Sequence, residues 1–361
     1  MKRGFKNISW SEYTLVFMLF IALLAPFIAG NEAYHLIPYS ENQMDLNNAN
    51  AVSPFEKQNI KSKLHHHWLG TDELGRDVLT QLIYGSRTAF FVGAISMFFA
   101  ALIGLIIGGL AAYYGDHSIK MSRLRITIST LLILTYFIFI IALIPWDIST
   151  ISLLEKIIHL FIYSFGFILL FIVLNKWLKK KEKQRALTYL PVDLTLSRFI
   201  EIMDALPLFF LVIAFSALFT PNLFWLSFII GVNAWPKVAK YFRAEVLKLK
   251  KTDFVESAQT LGFTNVRILL KHILPNAISP VLVSLCFGFA SAILIESSLS
   301  FLGLGISSEH ASWGHLLAEA RNNYQAWWLS IFPGLCIFIT VYSLNKLADR
   351  WNRVMSFTNK H

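Results

Sequence analysis

From Thr88 to Tyr114 the chain reads TAFFVGAISMFFAALIGLIIGGLAAYY, with no charged residue between Arg87 and Asp116. A bilayer-spanning helix needs about 20 consecutive, mostly apolar residues. This stretch meets that length without help from its flanks, and the rest of the chain repeats the pattern. Of 361 residues, 55% are hydrophobic and 15% charged, where a soluble domain carries about 25% charged residues. So little polar surface excludes an ordinary cytosolic enzyme, a disordered chain and a small disulfide-stapled module. The two cysteines, Cys286 and Cys336, sit in apolar stretches and read as small buried hydrophobes. The expected class is an all-α polytopic membrane protein.

Seven further apolar stretches join 88–114: Tyr13 to Gly30, 126–145, 157–176, 199–220, 223–240, 277–303 and 329–348, about eight spans in all. The first lacks a small-residue cleavage pattern behind it and reads as an anchor rather than a signal peptide. Net charge is +10, with 32 Lys and Arg. Placing both termini inside puts most basic residues in cytoplasmic segments. It leaves outside only Lys57, Lys61, Lys63, Arg76, Arg87, Lys156 and Arg321. The run Lys179 to Arg185 reads as a stop-transfer and lipid-headgroup patch.

The sequence contains no phosphate-binding loop, no His-Glu-x-x-His, no Cys-x-x-Cys and no Gly-x-Ser-x-Gly. Acids inside the expected spans are few, chiefly Asp204 and Glu296, too few for a proton relay. The informative polar residues lie in three segments. After the sixth span, Asp253 can cap a helix carrying Val255, Glu256, Ser257, Ala258 and Leu261, which Gly262 would end. A second amphipathic stretch, Val266 to Ile273, is then stopped by Leu274-Pro275. The product is a helix–turn–helix on the cytoplasmic face. The second segment is Gly70-Thr71-Asp72-Glu73-Leu74-Gly75-Arg76-Asp77, a tight loop in which Asp side chains take backbone donors and Arg76 pairs with a carboxylate. The third is Glu296-Ser-Ser-Leu-Ser300-Phe301-Leu302-Gly303, whose buried Glu296 must find a partner, as a packing or a gating group.

The spacing Glu256-Ser257-Ala258, Gly262, Leu274-Pro275 resembles the EAA loop of ABC importer permeases, with Ser257 and His272 departing from the general pattern. The Gly70–Asp77 loop and the Glu296 segment resemble the dipeptide, oligopeptide and nickel permease group, specifically its second, C-type subunit. The resemblance implies a type I importer transmembrane domain of six core helices. It also implies an ATPase-coupling loop at Asp253, Glu256, Ser257, Ala258, Gly262, Leu274 and Pro275, with Asp204 and Glu296 as intramembrane polar or gating residues.

Residues 117–195 fall outside the resemblance and read as an inserted transmembrane hairpin. The implied division is 1–30 (tail and first helix), 31–86 (extracytoplasmic loop) and 87–116 (core helix). The hairpin follows, then 196–350 (core, with coupling loop 241–276) and 351–361 (cytoplasmic tail). As a peptide importer of a bacterial inner membrane, the chain would hold no cofactor, ATP and Mg²⁺ being bound by partner subunits. Those partners would be a homologous permease, two ABC ATPases, an extracytoplasmic binding protein and membrane lipid; no nucleic acid is expected. Rival readings are an importer of nickel or another small solute, a non-transporting scaffold or sensor, and a proton-coupled carrier. His65-His66-His67 invites a metal reading, but consecutive residues point in different directions, so one ion would rarely take all three.

Overall fold

The computed structural model describes residues 10–30, 36–59, 65–116, 120–143, 153–181, 187–218, 222–307 and 309–358. The expected terminal segments 1–9 and 359–361, and residues 182–186 of the basic run, lie outside them. The described residues are mostly helical, in two compact units: 1–113 with 198–361, and 114–197.

In the first unit, α1 spans Trp10–Ile28 and α2 Val78–Tyr114. A kinked stretch follows as α5 (Val192–Ala205, its first turns belonging to the second unit) and α6 (Leu208–Leu218), then α7 at Leu223–Leu249. After a short α8 (Asp253–Thr260) and a single turn, α9 (Asn265–Arg267), the chain enters α10 (Leu274–Phe301). An outer helix, α11 (Trp313–Asn322), leads to α12 (Trp328–Thr358). Five helical stretches among the described residues are long and apolar enough to cross a membrane, including α2 and the continuous helix Asn265–Phe301.

Small residues set the packing. A Cβ added to Gly104 or Gly108 would come within 3.0 Å of Val238 or Ala239 on α7, and one on Gly231 within 2.6 Å of the Ser96 carbonyl. Between helices that share an apolar solvent, close backbone approach is the main source of attraction. Ser96 adds a hydrogen bond from its hydroxyl to the Ser227 carbonyl at 2.8 Å. The first turns of α1 are fixed to α12 by Thr14 with Ser343 (2.6 Å) and by Arg350 with Glu12 (2.6 Å).

Several expected boundaries shift. The 199–220 stretch is two helices, because Leu206 precedes a proline and is pushed out of helical geometry, after which Pro207 opens α6. Helix α2 begins at Val78, ten residues before the apolar run, since Asp77 accepts from the Thr80 backbone N–H (2.8 Å) and caps it. Helix α7 continues through 241–249 and α12 through 351–358, so these parts of the expected loop and tail are helical.

The second unit is a helical hairpin, α3 (Arg123–Leu143) and α4 (Leu153–Lys181), closed at its base by a two-stranded antiparallel pair, β1 (Lys120–Ser122) with β2 (Leu187–Tyr189). Thr127, Thr130 and Thr135 on α3 bond back to their own helix carbonyls, as short hydroxyls in apolar helices do. Ser129 instead reaches Asn175 on α4 at 3.4 Å. Tyr136 also crosses to α4, sharing a 2.7 Å hydrogen bond with Ser164.

Candidate functional site

The segment 250–276 is built as a platform bearing a projecting short helix. Thr252, not the expected Asp253, takes the N-cap position of α8, and no side-chain cap bond forms there. Asp253 and Glu256 instead occupy the first turn, where negative charge complements the exposed amides. Val255 and Ala258 are buried on the inner face, as are Ile268, Leu269 and Ile273 of the following turn. Glu256 and Ser257 face outward.

Gly262 ends the helix at φ +74°, donating to the Gln259 carbonyl, while Phe263 donates to Ala258. An added Cβ there would meet nothing within 4 Å, so only the backbone angle demands glycine. Phe263 then stacks on His272 (5.8 Å between centroids) and lies under the Arg267 guanidinium at 4.2 Å.

Leu274-Pro275 does not stop the second helix. Ile268–Ile273 forms a π-helical turn that runs directly into α10, with Pro275 at its start. A proline lacks the N–H that an α-helix would use and its ring crowds the preceding turn; widening that turn accommodates it. The segment is tied to the end of α2: Tyr113 donates to the Asn265 side chain (3.2 Å) and Lys250 donates to the Tyr113 carbonyl (2.5 Å). Outward from this frame stand Phe254, Leu261, Val266 and Leu270, all exposed, with Leu261 at 72%. Solvated apolar side chains on a braced, partly charged helix pair form a surface suited to a protein partner.

At the other candidate segment, Gly70 and Gly75 both take positive φ, +79° and +80°. Asp72, fully buried, accepts from the Leu74 and Arg76 amides and from Arg76 Nε at 2.5 Å. Thr71 accepts from the Val52 amide and donates to the Asn48 carbonyl. The loop is anchored from outside itself: Trp328 Nε1 donates to the Thr71 carbonyl, and Arg76 Nη2 donates to Glu319 Oε1 on α11 at 2.8 Å. Glu319 Oε2 is buried with no hydrogen-bond partner among the described residues. Burial, then the Asp72 carboxylate, push the Glu319 carboxyl up to about 7, against the opposing pull of Arg76.

The three histidines separate. His67 is buried, bonded to Asp77 (3.0 Å) and stacked on Tyr39 at 4.4 Å. His66 stacks on Trp68, and the His65 carbonyl accepts from Tyr39. Sequence reasoning missed His67 and Glu319 as members of this cluster. A neighbouring histidine run concealed the first, and the second lies 243 residues from its Arg76 partner.

Glu296 is 1% exposed and accepts from Ser300 (2.9 Å) and Ser312 (2.7 Å), the latter being the N-cap of α11. It therefore joins α10 to α11 through hydrogen bonds. Asp204 forms an ion pair with Lys240 of α7 at a partly exposed site. The structure brings Asp72, Arg76 and Asp77 together, but neither Glu296 nor Asp204 joins them.

Residues 189–357 match the family described as binding-protein-dependent transport system inner membrane component. A putative peptide transport system permease protein of Brucella suis is 29% identical over 284 residues, covering 78% of this chain and 71% of its own length. A dipeptide transport system permease protein of Bacillus subtilis is 27% identical over 339 residues, 93% of this chain and 77% of its own. An oligopeptide transport system permease protein of Salmonella typhimurium reaches 35% identity over 159 residues, 44% and 53% of the two chains.

Proposed function

We propose that this chain is an ABC importer permease of the binding-protein-dependent type and that it carries peptides across a bacterial inner membrane. The observation that carries the reading is the braced α8 pair with its outward Phe254, Leu261, Val266 and Leu270. In this reading the pair, with Asp253, Glu256, Ser257, Ala258, Gly262, Leu274 and Pro275, seats in an ATPase subunit. Movement of that subunit passes through Tyr113, Lys250 and the continuous α9–α10 helix into the spans. The chain itself binds no nucleotide. A second permease, two ATPases and an extracytoplasmic binding protein complete the assembly, and the peptide names of its relatives support the cargo. Both termini lie in the cytoplasm, with Gly70–Asp77 outside, following the distribution of basic residues.

The test is affinity purification of the assembled importer carrying Leu261→Asp and Leu270→Asp. Charges on these exposed positions leave the buried platform intact, so membrane insertion stays normal while ATPase recovery and ATP-driven peptide uptake fall at least tenfold. Undiminished recovery would mean the pair is not the docking element. Uptake that survives ATP depletion while a proton gradient persists would point to a carrier instead. Orientation is checked by impermeant thiol labelling of cysteines placed at Ser149 and Gln184, both outside the described residues. Labelling from outside at Ser149 alone is expected.

A further inference from the structure

The second unit carries a feature that coupling and transport do not use. Between α3 and α4, near the β1–β2 end, lies a cavity of about 630 Å³, within the range of small-molecule sites. Its walls are apolar, among them Ile126, Ile133 and Phe171, while Arg125, Lys176 and Lys179 line it as well. Among the described residues that line it there is no carboxylate. Asn175 sits at the junction of the two surfaces. Its side-chain oxygen accepts from Arg125 Nε at 2.9 Å and from the Ser129 hydroxyl at 3.4 Å, and its amide nitrogen donates to the Phe171 carbonyl.

We infer that this cavity binds an anionic phospholipid of the cytoplasmic leaflet, phosphate toward Arg125, Lys176 and Lys179 and acyl chain along Ile126, Ile133 and Phe171. Three cations converging on one cavity match a phosphate, and a basic pocket between membrane helices is a recognised form of headgroup site. The apolar side of the same cavity distinguishes this from a site for free phosphate, which would leave that wall wet. The two faces lie where a lipid needs them. After Glu155 and Lys156 in its first turn, α4 is apolar through its middle and turns basic again from Lys176 to Lys181, so the cavity's lysines stand at the end of a span. Asn175 holds the Arg125 guanidinium on the α4 side of the cavity, so its charge is positioned before lipid arrives. The hairpin thereby gains a role as a lipid-holding element of the permease.

The full-length permease is reconstituted in nanodiscs of phosphatidylcholine doped with fluorescent phosphatidylglycerol or cardiolipin, and the annular enrichment of each lipid is measured. Enrichment of the anionic lipids over phosphatidylcholine is expected, reduced at least fivefold in Lys176→Gln/Lys179→Gln. A control removes equal charge from exposed residues that do not line the cavity, Arg123→Gln/Lys180→Gln, and keeps the enrichment. Inorganic phosphate added in excess leaves the wild-type signal unchanged. Equal loss in the control pair would reduce the effect to bulk surface charge and overturn the inference, as would no enrichment at all. Competition by inorganic phosphate would make the site a phosphate site and reject the lipid.

Discussion

Gly262 is held by backbone geometry alone. Its φ of +74° with open space around the missing Cβ means that substitution strains the turn but causes no clash. Gly262→Val places a β-branched residue in the left-handed region at a cost of at least about 1 kcal/mol. The variant should insert normally yet lose most copurifying ATPase and ATP-driven uptake, whereas Gly262→Asn, which tolerates that region, should keep most of both. Full activity of the Val variant would remove the turn from the coupling assignment. Glu319 supplies a second test, outside the membrane spans. Its native carboxyl holds a proton up to about 7, while an unperturbed one releases it near 4.5. The folded state therefore binds more protons across that window, and stability must fall as pH rises through it. Thermal unfolding measured at about pH 5 and about pH 8 should show this fall in the wild type. Glu319→Gln still accepts from Arg76 and should flatten it; an unchanged slope would place the titration elsewhere.

Among the elements, the α2–α7 contact leaves little freedom. A Cβ on Gly108 would stand 2.9 Å from the Ala239 carbonyl oxygen, so Gly108→Leu must push backbone apart rather than rotate a side chain. Overpacking of this kind costs about 1–3 kcal/mol. The variant should show a lower melting temperature and poorer recovery in detergent. Gly166, on α4, has nothing within 4 Å of an added Cβ and provides the control substitution, Gly166→Ala. If Gly108→Leu melts with the wild type, the helices are not held by that approach. The kink at Pro207 and the π turn before Pro275 make the same point from the other side. In both places a proline decides where the helical hydrogen-bond ladder changes.

Over the whole molecule, residues 114–197 form a unit with its own internal bonds. Ile, Leu and Phe dominate its helices, and no acid occurs between Ile126 and Pro145 or between Ile157 and Lys176. A helix lining a wet pathway carries a polar stripe. We therefore expect removal of residues 120–190 to leave binding-protein-dependent uptake substantially active with unchanged substrate preference. Altered preference in a stably inserted, ATPase-bound complex would mean that the hairpin helps to form the pathway.

Membrane class and the positions of most spans follow from apolar run length, because a bilayer imposes a single minimum length on any helix that crosses it. The turn at Gly262 and the Asp72–Arg76 pair were legible for a similar reason, both being set by residues within a few positions of one another. Folding decided the remainder. Arg76 meets Glu319, and Trp328 meets the Thr71 carbonyl, across more than 240 residues. Glu296 finds Ser312 only because α11 folds back over the end of α10. Local spacing carries no information about such pairs: which buried charge meets which donor depends on how the helices pack, and packing is a property of the assembled chain.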